Sequence, residues 1–375
     1  MATRRALLVL LASVLVVSHL HQTSAQRGAT TASADLKALA KQSLSQIEGS
    51  LQIAGLKEPV EVTRDRWGVP HIEARNIDDL FFAQGYVIAQ DRLWQLEMWR
   101  RQREGRLSEV LGPRAFERDR QTRLLMYRGA FDDTEWTSYH PEGKRIFTAF
   151  ANGVNAYIAQ HADNLPVEFK LTGITPQPWK PETALLRTTS FGDGSSELQL
   201  ARLVARVGVK EANRQRMPDP WDELTVPEGL DVASIGEDVT NAARAGGAAP
   251  APPIAEKYRS WFATGARTTS PDDPLPDPGS NNWVVSGSKT ATGKPIVSND
   301  PHRDVTNPSL RYIMHLMAPG WNVIGAQEAP FVGIALGHNE RIAWGFTITG
   351  TDQSDRACGD EATAERNELL HVISP

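Results

Sequence analysis

The sequence predicts an α+β protein in which helical segments come first and strands follow. Roughly the first two hundred residues after an N-terminal leader carry the helical spacing of apolar side chains. From Ser280 onward the segments are short, rich in β-branched residues and punctuated by glycine, which is typical of strands. Because the two kinds of segment are segregated along the chain, the pattern does not favour alternating βαβ units.

Length and composition place the chain among globular proteins. It has 375 residues, of which 40% are hydrophobic and 23% are charged. This length suffices for two domains of about 100 to 200 residues each. The formal net charge of -5 provides no basic surface for nucleic acid, so that class of partner is excluded.

Residues 1–25 have the three parts of a secretory signal peptide. Two arginines precede the apolar run ALLVLLASVLVVSHL, and small residues lead to a cleavage site after Ala25. A membrane anchor is the alternative, but a spanning helix needs about 20 apolar residues, and His19 and His21 interrupt this run. We therefore expect a periplasmic or secreted protein without stable membrane insertion. Its single cysteine, Cys358, excludes an intrachain disulfide.

The segment 60–74, VEVTRDRWGVPHIEA, predicts two short strands joined by a turn. Val60 and Val62 alternate before the turn signal GVP, and Ile72 follows it. A long helix is expected next, with Asp78 as its N-cap. Its apolar residues recur at spacings of three and four, and we interpret this face as core: Phe82, Tyr86, Ala89, Leu93 and Leu96.

The remainder of the chain divides into further helices, a linker and a set of strands. Helices are predicted over 140–161, 182–208 and 254–263. The stretch 241–253, NAARAGGAAPAPP, is too poor in large apolar side chains to pack and predicts a loop or linker. Strands are expected in NNWVVSG, KPIVSND, GWNVIGAQ and ERIAWGFTIT, which all follow Ser280.

Ser280 follows the acidic, proline-rich run TSPDDPLPDPG, and it has two interpretations. In the first, the run is a domain linker and Ser280 merely starts a strand. In the second, the chain cuts itself between Gly279 and Ser280, because glycine leaves the serine hydroxyl room to approach the preceding carbonyl. The new α-amino group, with a reference pKa of about 7.7 to 8.0, could then accept the proton of its own hydroxyl.

Three separated segments carry a family resemblance. They are RWGVPHIEARNIDDLFFAQGYVIAQDRLWQLEMWRRQREGRLSEVLG, GSNNWVVSGSKTATGKPIVSNDPH and GHNERIAWGFTITGTDQSD. In this order they resemble the penicillin acylase family of N-terminal-nucleophile (Ntn) hydrolases. The resemblance covers the chain from about Val60 to Asp355.

The resemblance implies a precursor that is cut into two chains and a spacer. Residues 26–262 would form a largely helical α chain, 263–279 the spacer, and 280–355 the start of a β chain. The implied fold is the αββα four-layer sandwich of the Ntn hydrolases, and the α and β chains of one precursor would be partners. The implied substrate is a small-molecule linear acyl amide, such as a penicillin, a cephalosporin or an N-acyl homoserine lactone. The sequence does not determine which acyl group and amine are preferred.

Three catalytic positions follow from the resemblance, matched residue by residue. Ser280 matches the nucleophile, and His302 falls where several members place a histidine beside it. Ile348 aligns near the position whose backbone N–H donates to the oxyanion. The alternatives are a turn residue after Asp300 and Pro301 for His302, and a buried strand residue for Ile348.

The resemblance also implies one structural calcium ion. Its ligands would be the carboxylates of Asp352 and Asp355, the carbonyl of Ser354 and the carboxylate of Glu197 from the α chain. Ligands from both chains would hold the chains together. The alternative is that Asp352 and Asp355 are turn or cap residues.

Arg187 and Phe191 occupy the positions at which the family lines its acyl pocket. Arg187 departs from the apolar side chain of members that accept aromatic acyl groups. This departure favours a carboxylated or polar acyl chain, or an ion pair with a neighbouring acid.

The last residues, 356–375, depart from the family. They show no strand alternation, whereas family members continue with an apolar strand and the remainder of the β chain. The asparagine that supplies the second oxyanion donor in the family belongs to that remainder. We therefore expect a sandwich that is incomplete at the C-terminus, and a truncated, inactive exported acylase-like or binding protein is the alternative to an amidase.

A Ser-x-x-Lys motif, Ser286 to Lys289, formally matches penicillin-binding proteins and serine β-lactamases. The Ser-Asp-Asn and Lys-Thr-Gly motifs of those enzymes do not follow it. The motif also lies in a segment that predicts strand and turn. We therefore favour Ser280 as the nucleophile.

Overall fold

The computed structural model describes residues 35–126, 129–186, 195–215, 224–226, 228–235, 255–262, 280–302 and 306–347. Within these residues the fold is α+β, as expected from the sequence. The signal peptide 1–25, the linker 241–253, the spacer 263–279 and the tail 356–375 lie outside the described residues. The division into a signal peptide, an α-chain region, a spacer and a β chain therefore stays a prediction.

Helices dominate the described residues that precede Ser280. The α-helices are α1 (35–42), α2 (Ile77–Arg103), α3 (Ser108–Leu111), α4 (Phe116–Leu125), α5 (Asp133–Tyr139), α6 (Gly143–Gln160), α7 (Val167–Thr172), α8 (Ser195–Val207) and α9 (Val209–Gln215). Short 3₁₀ turns lie at Pro113–Ala115, Pro181–Leu185, Val232–Ser234, Glu256–Phe262 and Gly287–Lys289. Across the part of the chain that is described, no helix has the length and apolar character needed to span a membrane.

The strands form two sheets. They are β1 (Glu61–Arg64), β2 (Pro70–Glu73), β3 (Ser280–Val285), β4 (Ile296–Pro301), β5 (Arg311–Ala318), β6 (Trp321–Glu328), β7 (Leu336–His338) and β8 (Ala343–Trp344). Sheet I has the order β1-β2-β5-β6-β7-β8, and sheet II consists of β3 and β4. All pairs are antiparallel except β2 and β5, which run parallel with His71 opposite His315.

The predicted N-cap of α2 is wrong. Asn76 has an extended backbone, and its side chain accepts a hydrogen bond from the backbone N–H of Asp79 at 2.9 Å. Asp78 lies in the first turn of the helix, where its backbone is already helical and cannot act as a cap. Its carboxylate instead accepts hydrogen bonds from Lys57 and Arg145.

The predicted apolar face of α2 is confirmed as core. Its members are all buried: Phe82, Tyr86, Ala89, Leu93 and Leu96. This face packs on α6 and on one side of sheet I. Strand β5 contributes buried Tyr312, Met314 and Leu316 to the same core, because alternate side chains of a strand point to the same face.

Helices α2 and α6 touch backbone to backbone at two glycines. A Cβ atom added to Gly153 would lie 1.9 Å from the carbonyl oxygen of Phe82, and one added to Gly85 would lie 2.1 Å from that of Phe150. Real Cβ atoms do not approach this closely, so only glycine permits the contact. The two helices are therefore held at their closest approach by a pair of residues without side chains.

The other helix predictions are confirmed only in part. The pattern over 140–161 forms α6, as expected. The pattern over 182–208 starts with the 3₁₀ turn Pro181–Leu185 and ends with α8, while 187–194 lie outside the described residues. The expected helix over 254–263 is a 3₁₀ segment, Glu256–Phe262, because a stretch this short gains little from helical cooperativity.

Strand β2 and helix α2 connect the N-terminal part of the fold to the part that follows Ser280. Besides the β2–β5 ladder, the carboxylate of Asp91 on α2 accepts hydrogen bonds from Arg64 on β1, at 2.8 and 3.0 Å, and from the hydroxyl of Tyr312 on β5. Burial, together with the negative charge of Asp91, raises the pKa of Tyr312 above its ordinary value. The core thus joins segments more than two hundred residues apart in sequence.

Candidate active site

Ser280 is the first residue of β3, opposite Pro301 on β4. Its Oγ is buried and makes no hydrogen bond to any described residue. Most buried hydroxyls have a partner, because burying one without a hydrogen bond costs about 1 to 3 kcal/mol. Among the described residues, Ser280 is therefore an exception to this rule.

His302 directly follows Pro301, the register partner of Ser280. Its Nε2 lies 3.1 Å from Oδ2 of Asp300, and Nδ2 of Asn281 donates to the same oxygen at 3.3 Å. Nδ2 of Asn281 also lies 3.2 Å from Nε2, so this ring nitrogen is next to both the Asp300 carboxylate, an acceptor, and the Asn281 amide, a donor.

The carboxylate of Asp300 is stabilised in its charged form by these two donors. The hydrogen bond from Asn281, followed by the one from His302, lowers the pKa of Asp300 below its ordinary value. Asp300 therefore stays ionised at neutral pH, where it orients the imidazole of the residue two positions later.

Two asparagines, Asn282 on β3 and Asn299 on β4, connect sheet II to the end of sheet I. Asn282 donates to the carbonyl oxygen of Gly345 at 2.9 Å. Asn299 on β4 donates to the carbonyl oxygen of Phe346 at 3.0 Å and accepts from its N–H at 3.2 Å. The backbone that runs on from β8 is thus held beside the strand that carries Ser280.

Most of the remaining predicted site residues lie outside the described residues. These are Arg187, Phe191, Ile348, Asp352, Ser354 and Asp355. Glu197 lies in the first turn of α8, and its side chain is not described. Among the described side chains no group of three or more His, Cys, Asp or Glu could hold a metal ion. The structure therefore places Ser280 on β3 and His302 directly after the partner strand β4, and the acyl pocket, the oxyanion donor and the calcium site stay predictions.

The competing Ser-x-x-Lys motif lies on the exposed 3₁₀ turn Gly287–Lys289, after β3. The Oγ of Ser286 is 3.1 Å from that of Ser288. An exposed hydroxyl on a turn of three residues lacks the helix start that positions the serine of a β-lactamase. The geometry favours Ser280 over Ser286.

Sequence analysis missed the polar residues around Ser280 and His302. Asn281, Asn282 and Asn299 lie in strands, although asparagine is depleted in strands. Three asparagines in two paired strands are a signal that could have identified them. Asp300 was noted only as part of a turn, and its hydrogen bond from Asn281 depends on the antiparallel register of β3 and β4, which places these two residues opposite each other.

The chain is an α+β protein with a buried serine hydroxyl at the start of β3 and, directly after the partner strand β4, a histidine that contacts the carboxylate of Asp300. The chain belongs to the penicillin amidase family, whose sequence profile matches residues 59–359.

The chain is also similar to individual members of known function and to a solved structure. The chain is 34% identical over 319 residues to the penicillin acylase 2 proenzyme of Pseudomonas sp. (strain SE83), which covers 83% of this chain and 39% of that protein. It is 30% identical over 323 residues to the acyl-homoserine lactone acylase QuiP of Pseudomonas aeruginosa, covering 84% of this chain and 36% of that protein. Among solved structures, the thermostable penicillin G acylase from Alcaligenes faecalis matches 46% of this chain and 98% of that chain, with 26% identity and a TM-score of 0.37. The chain thus spans 39% and 36% of the length of the two curated relatives.

Proposed function

We propose that the protein is an amidohydrolase that cleaves a linear acyl amide with Ser280 as its N-terminal nucleophile. The observation that carries this proposal is the buried Ser280 hydroxyl, which makes no hydrogen bond to a described residue at the first position of β3. Membership of the penicillin amidase family supports it, and the names of the two curated relatives both describe enzymes that remove acyl groups.

The nucleophile would be generated by the chain itself. Oγ of Ser280 attacks the carbonyl carbon of Gly279, the peptide C–N bond breaks, and an ester links Gly279 to the serine oxygen. Water then hydrolyses the ester and leaves a carboxylate on Gly279 and a free α-amino group on Ser280. This amine titrates with a reference pKa of about 7.7 to 8.0, so roughly a tenth to a sixth of it is in the basic form at pH 7 and a larger share at higher pH.

The same residue would then act on the substrate. The α-amino group accepts the proton of Oγ as Oγ attacks the acyl carbon, and the proton passes to the leaving amine when the C–N bond breaks. Water hydrolyses the resulting ester and releases the acid. His302, oriented by Asp300, would polarise the serine hydroxyl, and the backbone N–H of Ile348 would donate to the oxyanion.

The two chains of the precursor would remain assembled after cleavage. The parallel pairing of β2 with β5 supports this partnership, because these strands lie on opposite sides of the proposed cleavage site and share one core. We also propose the αββα sandwich for the complete assembly. Exposed Trp283 and Val284 on sheet II and exposed Ile313 on sheet I support a further layer over these faces. The apolar segment at 1–25 supports export as a signal peptide.

We propose that Arg187 and Phe191 contact the acyl group and that Arg187 selects an acyl arm ending in a carboxylate. The test is hydrolysis by the full-length protein of a glutaryl amide, penicillin G and an N-acyl homoserine lactone, followed as free amine. We expect turnover of at least one amide, and we expect Arg187→Met to slow glutaryl amide turnover by about tenfold or more while sparing penicillin G. Release of no amine from any of the three substrates would contradict the proposed function.

A structural calcium ion bound by Glu197, Asp352, Asp355 and the carbonyl of Ser354 is a further proposal. Such an ion would stabilise the folded state by RT ln(1 + [L]/Kd), about 2.7 kcal/mol at a hundred times the Kd. Chelation should therefore lower the melting temperature of the full-length protein, and Asp355→Ala should abolish this sensitivity. As a control, replacing an exposed ion-paired carboxylate elsewhere, Asp133→Ala, should preserve it. Identical melting curves with and without chelator would indicate that these aspartates are turn residues.

A further inference from the structure

We propose that Asn299 is a positioning residue for the proposed reaction: its carboxamide holds the strand that carries Ser280 against the backbone of Gly345 and Phe346. The inference rests on the proposed function, because Asn299 acts through Ser280. Asn299 itself lies on β4, next to Asp300 and two residues before Pro301, the register partner of Ser280.

The Asn299 side chain makes three of these connections. Nδ2 of Asn299 donates to the carbonyl oxygen of Phe346 at 3.0 Å and lies 3.2 Å from the carbonyl oxygen of Asn281, to which it also donates. Oδ1 accepts the N–H of Phe346 at 3.2 Å. The carboxamide therefore forms hydrogen bonds with both the N–H and the carbonyl group of Phe346, as a neighbouring strand would. It also donates to the carbonyl oxygen of Asn281, the residue that follows Ser280.

The close packing of Asn299 against Gly345 leaves no room for a side chain at residue 345. A Cβ atom on Gly345 would lie 2.5 Å from Cβ and 2.6 Å from Cγ of Asn299, so any side chain at Gly345 would displace it. Asn282 adds a second link through the carbonyl oxygen of Gly345. The ring of Phe346 is exposed, so it is the backbone of this segment, and not its side chain, that the asparagines hold.

The chemistry explains why such a link would matter. A tetrahedral oxyanion is stabilised only by donors about 2.7 to 3.1 Å from the position that it will occupy. Phe346 precedes the proposed donor Ile348 by two residues in the sequence. By joining Phe346 to Asn281, Asn299 sets the position at which the donor segment starts relative to the nucleophile. A misplacement of about 1 Å at such a site typically costs on the order of a hundredfold in rate.

The protein contains a matched pair of hydrogen bonds that serves as a control. Nδ2 of Asn155 on α6 donates to the carbonyl oxygen of Trp179 at 2.9 Å, and Oδ1 accepts the N–H of Trp179 at 2.7 Å. Asn155 thus holds a backbone segment in the same way as Asn299, but within the helical part of the fold. A purely structural role predicts equivalent effects for changes at the two positions, whereas a positioning role does not.

The experiment compares Asn299→Asp, Asn299→Ala and Asn155→Asp with the wild type in the full-length protein. Active sites are titrated by covalent labelling of Ser280 with an arylsulfonyl fluoride, and kcat and KM are measured for amide hydrolysis per labelled site. Aspartate keeps the acceptor for the N–H of Phe346 but loses both donated hydrogen bonds, so cavity formation does not contribute. We expect both Asn299 variants to lower kcat per site by roughly 10- to 100-fold with KM within about threefold of wild type. Asn155→Asp should lower the melting temperature and leave kcat per site within about twofold.

The following results would contradict the proposed positioning role of Asn299. If Asn299→Asp retains the kcat of the wild type per labelled site, or if Asn155→Asp loses as much, Asn299 has no special role in positioning. If Ser280→Ala still hydrolyses the amide, the proposed function itself fails, and the role of Asn299 falls with it. The Ser280→Ala result thus separates the two failures.

Discussion

Replacing Ser280 with alanine should leave an uncut precursor and reduce amide hydrolysis by roughly 10⁴- to 10⁶-fold, as expected when a nucleophile is removed. The Ser280 hydroxyl is the atom that would attack both the Gly279 carbonyl and the substrate. Because Oγ is buried and makes no hydrogen bond to a described residue, its removal should not destabilise the fold. We therefore expect the uncut variant to fold and to unfold cooperatively on heating.

The control for this prediction is the competing serine. Ser286 lies on an exposed turn, so Ser286→Ala should be cut and should hydrolyse amides at the wild-type rate. Chain lengths are read by denaturing electrophoresis and mass spectrometry, and amine release gives the activity. If the Ser280→Ala protein is still cut, or if the Ser286→Ala protein is not cut, Ser280 is not the residue that cleaves the chain.

Replacing Gly153 with alanine should destabilise the fold by about 3 kcal/mol or more. The new methyl group would lie 1.9 Å from the carbonyl oxygen of Phe82, which is backbone and cannot move without shifting α2. Overpacking of this kind commonly costs about 1 to 3 kcal/mol, and here it would also separate the two central helices of the core. Against a total stability of about 5 to 15 kcal/mol, such a loss is large.

A second glycine in the same helix provides the control. Gly143 is the first residue of α6, and a Cβ atom added there would lie 3.3 Å from its nearest neighbour, the carbonyl oxygen of Trp136. Gly143→Ala should therefore change the free energy of unfolding by less than about 1 kcal/mol. Urea unfolding of the uncut Ser280→Ala background, which keeps the chain in one piece, gives both values. A Gly153→Ala protein with an unchanged midpoint would show that α2 and α6 are not in backbone contact.

Helical periodicity predicted the part of the fold that depends on local sequence. The buried face of α2 and the extent of α6 followed from the spacing of apolar residues, because each helix buries one stripe. Strand β5 was not among the predicted strands. Its segment, RYIMHLMA, is rich in residues that also favour helices, and its partners are β6 and the distant β2. Its position in the sheet therefore depends on tertiary contacts that a local pattern does not contain.

The candidate site likewise contains residues that the sequence predicted and residues whose role depends on tertiary contacts. Ser280 and His302 were predicted from the family resemblance, and the structure places Ser280 on β3 and His302 directly after the partner strand β4. Asn299 and Gly345 were missed, because their importance arises from an approach between β4 and the end of sheet I, 47 residues apart in sequence. The N-cap of α2 was wrong for a smaller reason. Asn76 and Asp78 are both good capping residues, and only the backbone dihedral angles distinguish them.

The central claim is that Ser280 becomes an N-terminal residue, and N-terminal sequencing of the purified full-length protein tests it most directly. We expect two polypeptides after denaturation, one of which begins with Ser280, Asn281, Asn282 and Trp283. Intact mass should place the break at the Gly279–Ser280 bond, and the Ser280→Ala protein should lack that fragment. A single polypeptide that hydrolyses amides, or a new N-terminus at any residue other than Ser280, would contradict this account.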